Sequence, residues 1–310
     1  MSYPKVTVVG AGFVGATTAQ RLVEKEIADV VLIDIVEGLP QGKALDMMQS
    51  APVEGFKTKI TGTNCYLDTK DSDAVVITAG LARKPGMSRD DLLLKNAEII
   101  SGIVRECAKV SPKAILVIVT NPLDVMTWLA WKISGFSPER VIGMAGELDS
   151  ARMAYFISEA IGCAPSDVQA TVLGGHGDQM VPVPQHTKVR GVPITEILDE
   201  DSIETINQRT RDGGAEIVKY LKTGSAYYAP SSSAVRMVKA ILEDRKEVIP
   251  SCVYLTGQYG IRNIYCGVPV KLGRAGAEEI SELPLTEEQS AALKASAENV
   301  RENCAKLNIL

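Results

Sequence analysis

The first half of the chain alternates short runs rich in β-branched apolar residues with longer segments of helical spacing. The short runs are continuous rather than alternating, and they lie at 5–10, 30–35, 74–80 and 114–120. Such runs are typical of strands buried on both faces, as in a parallel sheet covered by helices. The segments Val14 to Glu26 and Leu92 to Val110 are predicted helices. The alternation predicts an α/β fold with a doubly wound parallel sheet, whose ligands bind at the carboxyl ends of the strands.

The pattern changes beyond about residue 145. Predicted helices lie at 148–161, 201–222 and 230–244. The runs 251–260 and 263–273 predict an antiparallel pair of strands, and Arg190-Gly191 predicts a hairpin turn. Helices mixed with antiparallel strands are typical of an α+β unit. We therefore expect two domains, residues 1–144 and residues 145–310, which pack closely because no Pro- or Ser-rich linker separates them.

The last helix is predicted from its cap and its apolar face. Thr286 and Gln289 form the Thr-x-x-Gln pattern of a capping box. The apolar positions that follow recur at steps of three and four residues: Leu293, Ala297, Val300, Cys304 and Leu307. This spacing predicts a helix with one buried face.

Composition narrows the class of protein. The 310 residues are 45% hydrophobic and 23% charged, with a formal net charge of -5, which is typical of a globular protein. The mildly acidic balance disfavours nucleic acid and anionic membranes as partners. No apolar run approaches the roughly 20 residues that span a bilayer, and the N-terminus enters a strand pattern without a leader sequence. The six cysteines lack CxxC or metal-ligand spacing, so we expect reduced thiols, no metal site and a cytoplasmic location.

A glycine-rich turn follows the first predicted strand. The sequence GAGFVG places three glycines in a G-x-G-x-x-G pattern between a strand and a helix. In a Rossmann domain the first glycine permits a tight turn, the second lets the backbone approach a pyrophosphate, and the third lets helix and strand pack closely. The alternative is a glycine turn that binds nothing. The candidate cofactor contacts in this loop are Gly10, Ala11, Gly12, Phe13, Val14 and Gly15.

An acidic residue stands where a Rossmann domain binds ribose. Asp34 lies at the end of the second predicted strand. A carboxylate at this point accepts hydrogen bonds from the ribose hydroxyls and repels a 2′-phosphate. The next residue is Ile35 rather than an arginine. The sequence therefore favours NAD over NADP as the cofactor.

Histidine is scarce in this chain, which makes its positions informative. One of only two histidines, His176, lies between glycines in the sequence VLGGHGDQMVPV. Histidine has the side chain whose ordinary pKa lies nearest neutrality, so it suits proton transfer. The alternative is an ordinary turn residue, and the segment alone leaves both interpretations open. The second histidine, His186, is interpreted as a turn or surface residue.

Three further segments carry polar side chains suited to a small anionic ligand. The basic loop GLARKPGMSR contains Arg83 and Arg89, and guanidinium groups bind carboxylates bidentately. Asn121 ends the fourth predicted strand, where the following proline favours an extended backbone. Asp149 and Arg152 lie three residues apart on one face of a predicted helix. The simpler alternatives are a solvated loop, a helix N-cap or turn residue, and an intrahelical ion pair.

Together these segments resemble a known family. GAGFVG, Asp34, GLARKPGMSR, VTNP, GELDSAR and GGHGD occur in the order and at the spacing of the lactate/malate dehydrogenase family, and the resemblance covers essentially the whole chain. It implies an N-terminal Rossmann NAD-binding domain, a C-terminal α+β substrate domain, and reversible hydride transfer between NAD and a 2-hydroxy acid. It also implies a homodimer or homotetramer that binds a small-molecule substrate.

The resemblance implies a role for each matched residue. His176 corresponds to the proton acceptor and Asp149 to its carboxylate partner. Arg152 corresponds to the arginine that binds the substrate's carboxylate, and Arg89 to the loop arginine that polarises the reacting carbonyl. Asn121 corresponds to a residue that contacts both substrate and cofactor.

Other correspondences concern the cofactor and the choice of substrate. The remaining cofactor contacts that the resemblance implies are Asn96, Val119 and Thr120, together with Asn121. Arg83 stands where family members that act on lactate have glutamine and those that act on malate have arginine. Ala226 stands where lactate enzymes usually have threonine, which agrees with a larger dicarboxylic substrate. The resemblance is therefore greatest to members that interconvert malate and oxaloacetate.

Three alternatives remain at this point. An enzyme for lactate is disfavoured because lactate has no second carboxylate to neutralise Arg83, and an unpaired cation in a closed site is costly. NAD-dependent glycosidases resemble this family in fold but need a cysteine–histidine metal site, and no cysteine adjoins His176 in the sequence. A non-catalytic NAD-binding protein would have no need of the histidine with its acidic and basic companions.

Overall fold

The protein, analysed as a computed structural model, is described over residues 3–81 and 87–307. In the first half of the described chain the strands are β1 (Lys5–Val9), β2 (Asp29–Ile33), β3 (Ile60–Thr63), β4 (Ala74–Ile77), β5 (Ile115–Ile118) and β6 (Val141–Gly143). The helices of that half are α1 (Phe13–Glu24), α2 (Leu39–Glu54), α3 (Arg89–Val110) and α4 (Leu123–Ser134). Strands and helices alternate, as the sequence pattern predicts.

Strands β1 to β6 form a parallel sheet in the order β3-β2-β1-β4-β5-β6. The order reverses between β1 and β4, so the carboxyl ends of these two strands flank a crevice outside the sheet. Every residue of β4 and β5 is buried, which explains why their sequences are continuously apolar. The predicted doubly wound parallel sheet is confirmed.

The second half combines helices with antiparallel strands. Its described helices are α5 (Gly146–Ile161), α6 (Glu200–Leu221), α7 (Tyr228–Leu242) and α8 (Glu287–Ala305). Its described strands are β7 (Val168–Gln169), β8 (Val172–Gly174), β9 (Met180–Pro182), β10 (Lys188–Val189), β11 (Val192–Pro193), β12 (Glu247–Thr256), β13 (Arg262–Gly273) and β14 (Gly276–Ile280). The predicted antiparallel pair is β12 with β13, and β10 with β11 form the hairpin predicted at Arg190-Gly191.

Strands β12 to β14 extend the parallel sheet, which the sequence pattern does not predict. β12 pairs with β6 at Cys252 and Gly143, and the sheet formed by the described residues has nine strands. The contact is close because Gly143 has no side chain: a β-carbon there would lie 2.8 Å from that of Cys252. The two halves contribute to a common hydrophobic core.

Some elements of the first half lack the pattern that predicts the others. β3 has the sequence ITGT, with exposed and buried positions mixed, and β6 is three residues long, so neither is a continuous apolar run. α2 contains Pro40 in its first turn and Pro52 in its interior. α4 is apolar on most of its surface, which is typical of a buried helix without a polar face.

No helix in the described ranges combines the length and the apolar character that crossing a membrane requires.

The closing helix α8 has the predicted cap and the predicted buried face. Thr286 Oγ1 accepts a hydrogen bond from the backbone N–H of Gln289 at 3.2 Å, and Gln289 Oε1 accepts one from the backbone N–H of Thr286 at 3.1 Å. Of the predicted apolar positions, Leu293, Ala297, Val300 and Cys304 are buried, whereas Leu307 lies past the end of α8 and is half-buried. This face lies against α4, β8 and β9, which brings α8 close to the histidine loop.

Candidate active site

The glycine loop between β1 and α1 leaves one glycine open to a ligand. Gly10 has a φ of +100°, and a β-carbon on it would lie 2.8 Å from the backbone nitrogen of Ala79. A β-carbon on Gly15 would lie 1.7 Å from the carbonyl oxygen of Gly10. Gly12 caps α1 without a side-chain hydrogen bond, and nothing lies within 4 Å of its missing β-carbon. The first N–H groups of α1 are therefore accessible to an anion such as a phosphate.

Asp34 lies at the tip of β2 and is bonded to the glycine loop. Its Oδ2 accepts a hydrogen bond from the backbone N–H of Ala11 at 2.6 Å, and its Oδ1 accepts one from Val36 at 3.0 Å. Lys43 of α2 donates to the carbonyl oxygen of Ala11 at 2.7 Å. The sequence analysis missed Lys43 because a lone lysine in a helix carries no local signal. Ile35 is 95% exposed, so the position next to Asp34 faces solvent.

The candidate cofactor residues at the tips of β4 and β5 are linked to one another. Asn96 is buried; its Oδ1 accepts from the N–H of Leu81 at 2.8 Å, and its Nδ2 donates to the carbonyl oxygen of Asn121 at 2.7 Å. Thr120 Oγ1 donates to the carbonyl oxygen of Ala79 at 2.7 Å. The N–H of Val119 donates to a β4 carbonyl at 2.9 Å. These bonds hold the two strand tips together beside the crevice.

His176 meets Asp149 as the sequence analysis expects. The histidine lies in the loop between β8 and β9, and its Nδ1 is 3.0 Å from Oδ2 of Asp149 on α5. The side chains are 16% and 2% exposed, respectively. The contact occupies Nδ1 and leaves Nε2 of the ring to face a ligand. The segment is therefore more than a turn that happens to contain histidine.

The charge on the imidazole depends on two opposing effects. Burial, the largest influence, lowers the pKa of His176, because it disfavours the charged ring. The negative charge and the hydrogen bond of Asp149 raise the pKa and outweigh burial. The net result is a pKa above the ordinary value of 6.5. The carboxylate of Asp149 therefore favours the protonated ring despite its burial.

Arg152 is a buried cation with unused hydrogen-bonding capacity. Its side chain is 12% exposed, and its Nη1 lies 3.4 Å from Oδ1 of Asp149. Its Nε has no hydrogen-bond partner among the described residues. Burial lowers the pKa of Arg152, and the charge of Asp149 partly offsets this effect. A buried guanidinium with free donors is suited to bind a carboxylate.

Two glycines of α6 make room for Arg152. A β-carbon on Gly213 would lie 3.2 Å from Cδ of Arg152, and one on Gly214 would lie 3.6 Å from its Nη2. The sequence analysis did not identify this pair, although two adjacent glycines inside a predicted helix are a detectable signal.

Of the two candidate arginines in the basic loop, Arg89 alone lies within the described residues. Arg83 lies outside the described residues. Arg89 is the first residue of α3, and its Nη2 lies 3.1 Å from Oδ2 of Asp178. Both side chains of this pair are mostly exposed. Asp178 belongs to the GGHGD segment, so Arg89 lies beside the histidine loop without touching His176.

The backbone of the histidine loop is held by two residues that the sequence analysis missed. Asp124 of α4 accepts a hydrogen bond from the N–H of His176 at 3.0 Å. Ser296 of α8 accepts one from the N–H of Gly175 at 2.7 Å. Both side chains are buried. Asp124 is the last residue of the sequence VTNPLD, but nothing in that segment indicates that it reaches His176.

Two family models match the chain. Residues 4–143 match the lactate/malate dehydrogenase NAD binding domain, and residues 146–308 match the lactate/malate dehydrogenase alpha/beta C-terminal domain. The chain is 57% identical over 305 residues to the malate dehydrogenase of Chloroherpeton thalassium, with 98% of each protein covered.

Solved structures of two related enzymes are similar to this fold. The malate dehydrogenase of Salinibacter ruber is 48% identical, with a TM-score of 0.94 over 98% of this chain and 97% of that one. The lactate dehydrogenase of Cryptosporidium parvum, solved with lactic acid and β-nicotinamide adenine dinucleotide, is 40% identical. Its TM-score is 0.96 over 100% of this chain and 99% of that one.

We expect Asp149→Asn to lower the pKa of His176. The substitution removes the two largest influences that raise this pKa. It leaves burial and the charge of Arg152, which lower the pKa, and the weaker influence of the Asp124 charge, which raises it. An NMR titration of the imidazole signals measures the change. The chain has two histidines, so His186→Gln assigns the signals.

Asp178→Asn is the control for this titration. It removes a carboxylate from the same loop whose side chain is 72% exposed, where solvent and salt screen its charge. We expect the pKa of His176 to be nearly unchanged in this variant. An unchanged or higher pKa in Asp149→Asn would contradict the electrostatic account.

Proposed function

The chain belongs to the lactate/malate dehydrogenase family, and from this premise we propose that it is an NAD-dependent malate dehydrogenase. Its reaction is the reversible oxidation of (S)-malate to oxaloacetate. The observation that carries the proposal is the buried group of His176, Asp149 and Arg152, in which one proton carrier and one anion-binding cation share a carboxylate. A protein that only bound NAD would have no use for this arrangement.

The residues of the glycine loop fit NAD. The open space at Gly12 and the accessible N–H groups of α1 suit a pyrophosphate. The Asp34 carboxylate at the tip of β2 suits the ribose hydroxyls. The candidate contacts are the loop residues Gly10 to Gly15, with Asp34, Asn96, Val119, Thr120 and Asn121. When bound, NAD supplies the hydride acceptor for malate oxidation and the donor for the reverse direction.

His176 carries the proton of the reaction. During malate oxidation its Nε2 accepts the proton of the C2 hydroxyl, and Asp149 stabilises the imidazolium that forms. Oxidation needs the neutral ring, so it weakens as pH falls through the pKa of His176. Oxaloacetate reduction needs the protonated ring, so it weakens as pH rises through the same value. The raised pKa favours the protonated form that reduction requires.

The arginines hold and polarise the substrate. Arg152 binds the carboxylate beside the reacting carbon through its free donors. Arg89 moves from Asp178 to the reacting oxygen, and the release is inexpensive because an exposed ion pair contributes only about 0–1 kcal/mol. Arg83 binds the distal carboxylate, and Asn121 contacts both substrate and cofactor. These assignments follow the residue-by-residue resemblance.

A lactate dehydrogenase is the second candidate. The lactate dehydrogenase of Cryptosporidium parvum has a backbone as similar to this one as the malate enzyme of Salinibacter ruber has. The distinction therefore depends on side chains, and Arg83 favours a dicarboxylate.

We also propose a role for each half of the chain and a location for the protein. Residues 1–144 bind the cofactor and residues 145–310 contribute the substrate site. The protein is cytoplasmic, with no nucleic acid or membrane partner, in agreement with its mild net negative charge.

We expect wild-type protein to reduce oxaloacetate in preference to pyruvate, and Arg83→Gln to reverse part of that preference. Losing a desolvated charge pair costs about 2–5 kcal/mol, so kcat/KM for oxaloacetate should fall roughly 30-fold to several-thousand-fold. Pyruvate has no distal carboxylate and should lose nothing. Steady-state assays of both substrates measure the ratio. Lys84→Gln removes a neighbouring charge of the same loop and should leave the ratio nearly unchanged; an unchanged ratio in Arg83→Gln would refute the assigned role.

We expect the double variant Asp34→Ser, Ile35→Arg to shift cofactor preference toward NADPH. Serine removes the carboxylate that repels a 2′-phosphate, and arginine at an exposed position supplies a partner for it. The ratio of kcat/KM for NADPH to that for NADH should rise about 10- to 100-fold. Ile35→Arg alone is the control and should shift the ratio less. Wild-type protein that already uses both cofactors equally would show that Asp34 does not select between them.

We expect a homodimer or homotetramer in solution. The family resemblance supports this expectation, and α2 and α6 each present a large exposed side chain, Leu45 at 61% and Tyr220 at 77% exposure. Met47 and Met48, which follow Leu45 on α2, are half-buried against the core. Light scattering at micromolar concentration should give a multiple of the 33.2 kDa chain mass. A monomeric mass would overturn the proposal.

A further inference from the structure

A buried carboxyl lies beneath His176 and has no role in the reaction described above. Oδ2 of Asp124 accepts the hydrogen bond from the backbone N–H of His176 at 3.0 Å, and Asp124 is 5% exposed. Asp124 is in the first turn of α4, which begins two residues after Asn121. The contact therefore joins the first turn of α4 in the first half to the histidine loop of the second half.

Asp124 has few hydrogen-bond partners besides the N–H of His176. Its Oδ1 has no hydrogen-bond partner among the described residues. Burial, the largest influence, raises the pKa of Asp124, and a hydrogen bond with the thiol of Cys252 partly offsets this effect. A buried polar group is costly unless its hydrogen bonds are satisfied. An apolar residue in this position would avoid that cost, so the bond to His176 needs an explanation.

The glycines around His176 provide one. Gly175 and Gly177 flank the histidine, and Gly177 has a φ of +107°. Glycine leaves the backbone free to adopt many conformations, so the loop's own residues do not fix the direction of the imidazole. Two consecutive N–H groups, those of Gly175 and His176, donate instead to buried side chains of α8 and α4. These bonds supply the constraint that the sequence of the loop lacks.

We propose that Asp124 is a positioning residue for His176. By accepting the His176 N–H, it fixes the peptide from which the imidazole projects, and so keeps Nδ1 on Asp149 and Nε2 toward the substrate. The inference rests on the proposed function, in which His176 carries the proton. What matters is an acceptor oxygen at this point rather than a negative charge. A displacement of about 1 Å at a catalytic group can cost on the order of 100-fold in rate.

Three variants separate positioning from stability. Asp124→Leu removes the acceptor but brings a bulkier side chain, and Asp124→Asn keeps an oxygen that can accept the same N–H. Thr127→Val is the matched control: Thr127 lies one turn further along α4, is buried, and donates to the carbonyl oxygen of Leu123 at 2.8 Å. Should Asp124→Leu not fold, Asp124→Ala removes the acceptor without adding bulk and is held to the same outcomes.

The kinetic result distinguishes orientation from binding. In Asp124→Leu we expect kcat for oxaloacetate reduction to fall about 10- to 100-fold, with KM and the NADH dissociation constant changed less than about threefold. Asp124→Asn should retain kcat within about threefold. Thr127→Val should lower Tm without lowering kcat measured well below Tm.

NMR of isotopically labelled histidine provides a readout that does not depend on turnover. The proton shared by His176 and Asp149 should give a resolved signal in wild type and in Asp124→Asn, and should broaden or vanish in Asp124→Leu. The positioning role is wrong if Asp124→Leu keeps kcat and this signal, if Asp124→Asn loses as much as Asp124→Leu, or if Thr127→Val loses kcat equally. If wild-type protein fails to turn over malate or oxaloacetate, the proposed function is wrong, and the NMR signals alone decide the role of Asp124.

Discussion

The contact between Nδ1 of His176 and Oδ2 of Asp149 is the interaction on which the candidate site depends. Burial alone would keep the imidazole neutral, because it disfavours the charged ring. An exposed imidazole would exchange its proton with water rather than with a bound substrate. The carboxylate at 3.0 Å offsets burial, so the ring can hold a proton in a site that largely excludes solvent. The same carboxylate lies 3.4 Å from Arg152. One buried anion thus stabilises both the imidazole that we propose as the proton carrier and the guanidinium that we propose binds the substrate.

A cluster of buried charges is stable only where the surrounding backbone holds its members close together. Asp149 and Arg152 are fixed relative to each other because α5 places them three residues apart. His176 arrives from the β8–β9 loop, and β13 passes so close to that loop that a β-carbon on Gly267 would lie 2.2 Å from the carbonyl oxygen of Gly174. The extension of the sheet by β12 to β14 therefore contributes to the site as well as to the core.

The sequence predicts what depends on neighbours along the chain. The parallel strands, the glycine loop and the shared helical face of Asp149 and Arg152 are all local patterns, and the matched motifs predict that His176 is the proton carrier. Contacts between distant segments have no such pattern. Two examples are the contact of Asp124 with His176 and that of Gly213 with Arg152. Both arise only when α4, α6 and the histidine loop pack together. The joining of β12 to β6 rests on a single residue pair, too little for any sequence pattern to indicate.

The backbone fold does not determine which substrate the protein selects. A lactate enzyme and a malate enzyme match this chain with TM-scores of 0.96 and 0.94, so their difference must reside in a few side chains. Oxaloacetate brings two negative charges into a closed site, and a desolvated charge needs a partner. In the proposed reaction Arg152 neutralises the carboxylate beside the reacting carbon, and Arg89 is needed at the reacting oxygen. The second carboxylate therefore needs a further cation, which a substrate with one carboxylate would leave unpaired. Arg83, which stands in the sequence of the basic loop, is the residue that we propose for that cation, and the charge balance between the substrate and its arginines is the proposed basis of the preference.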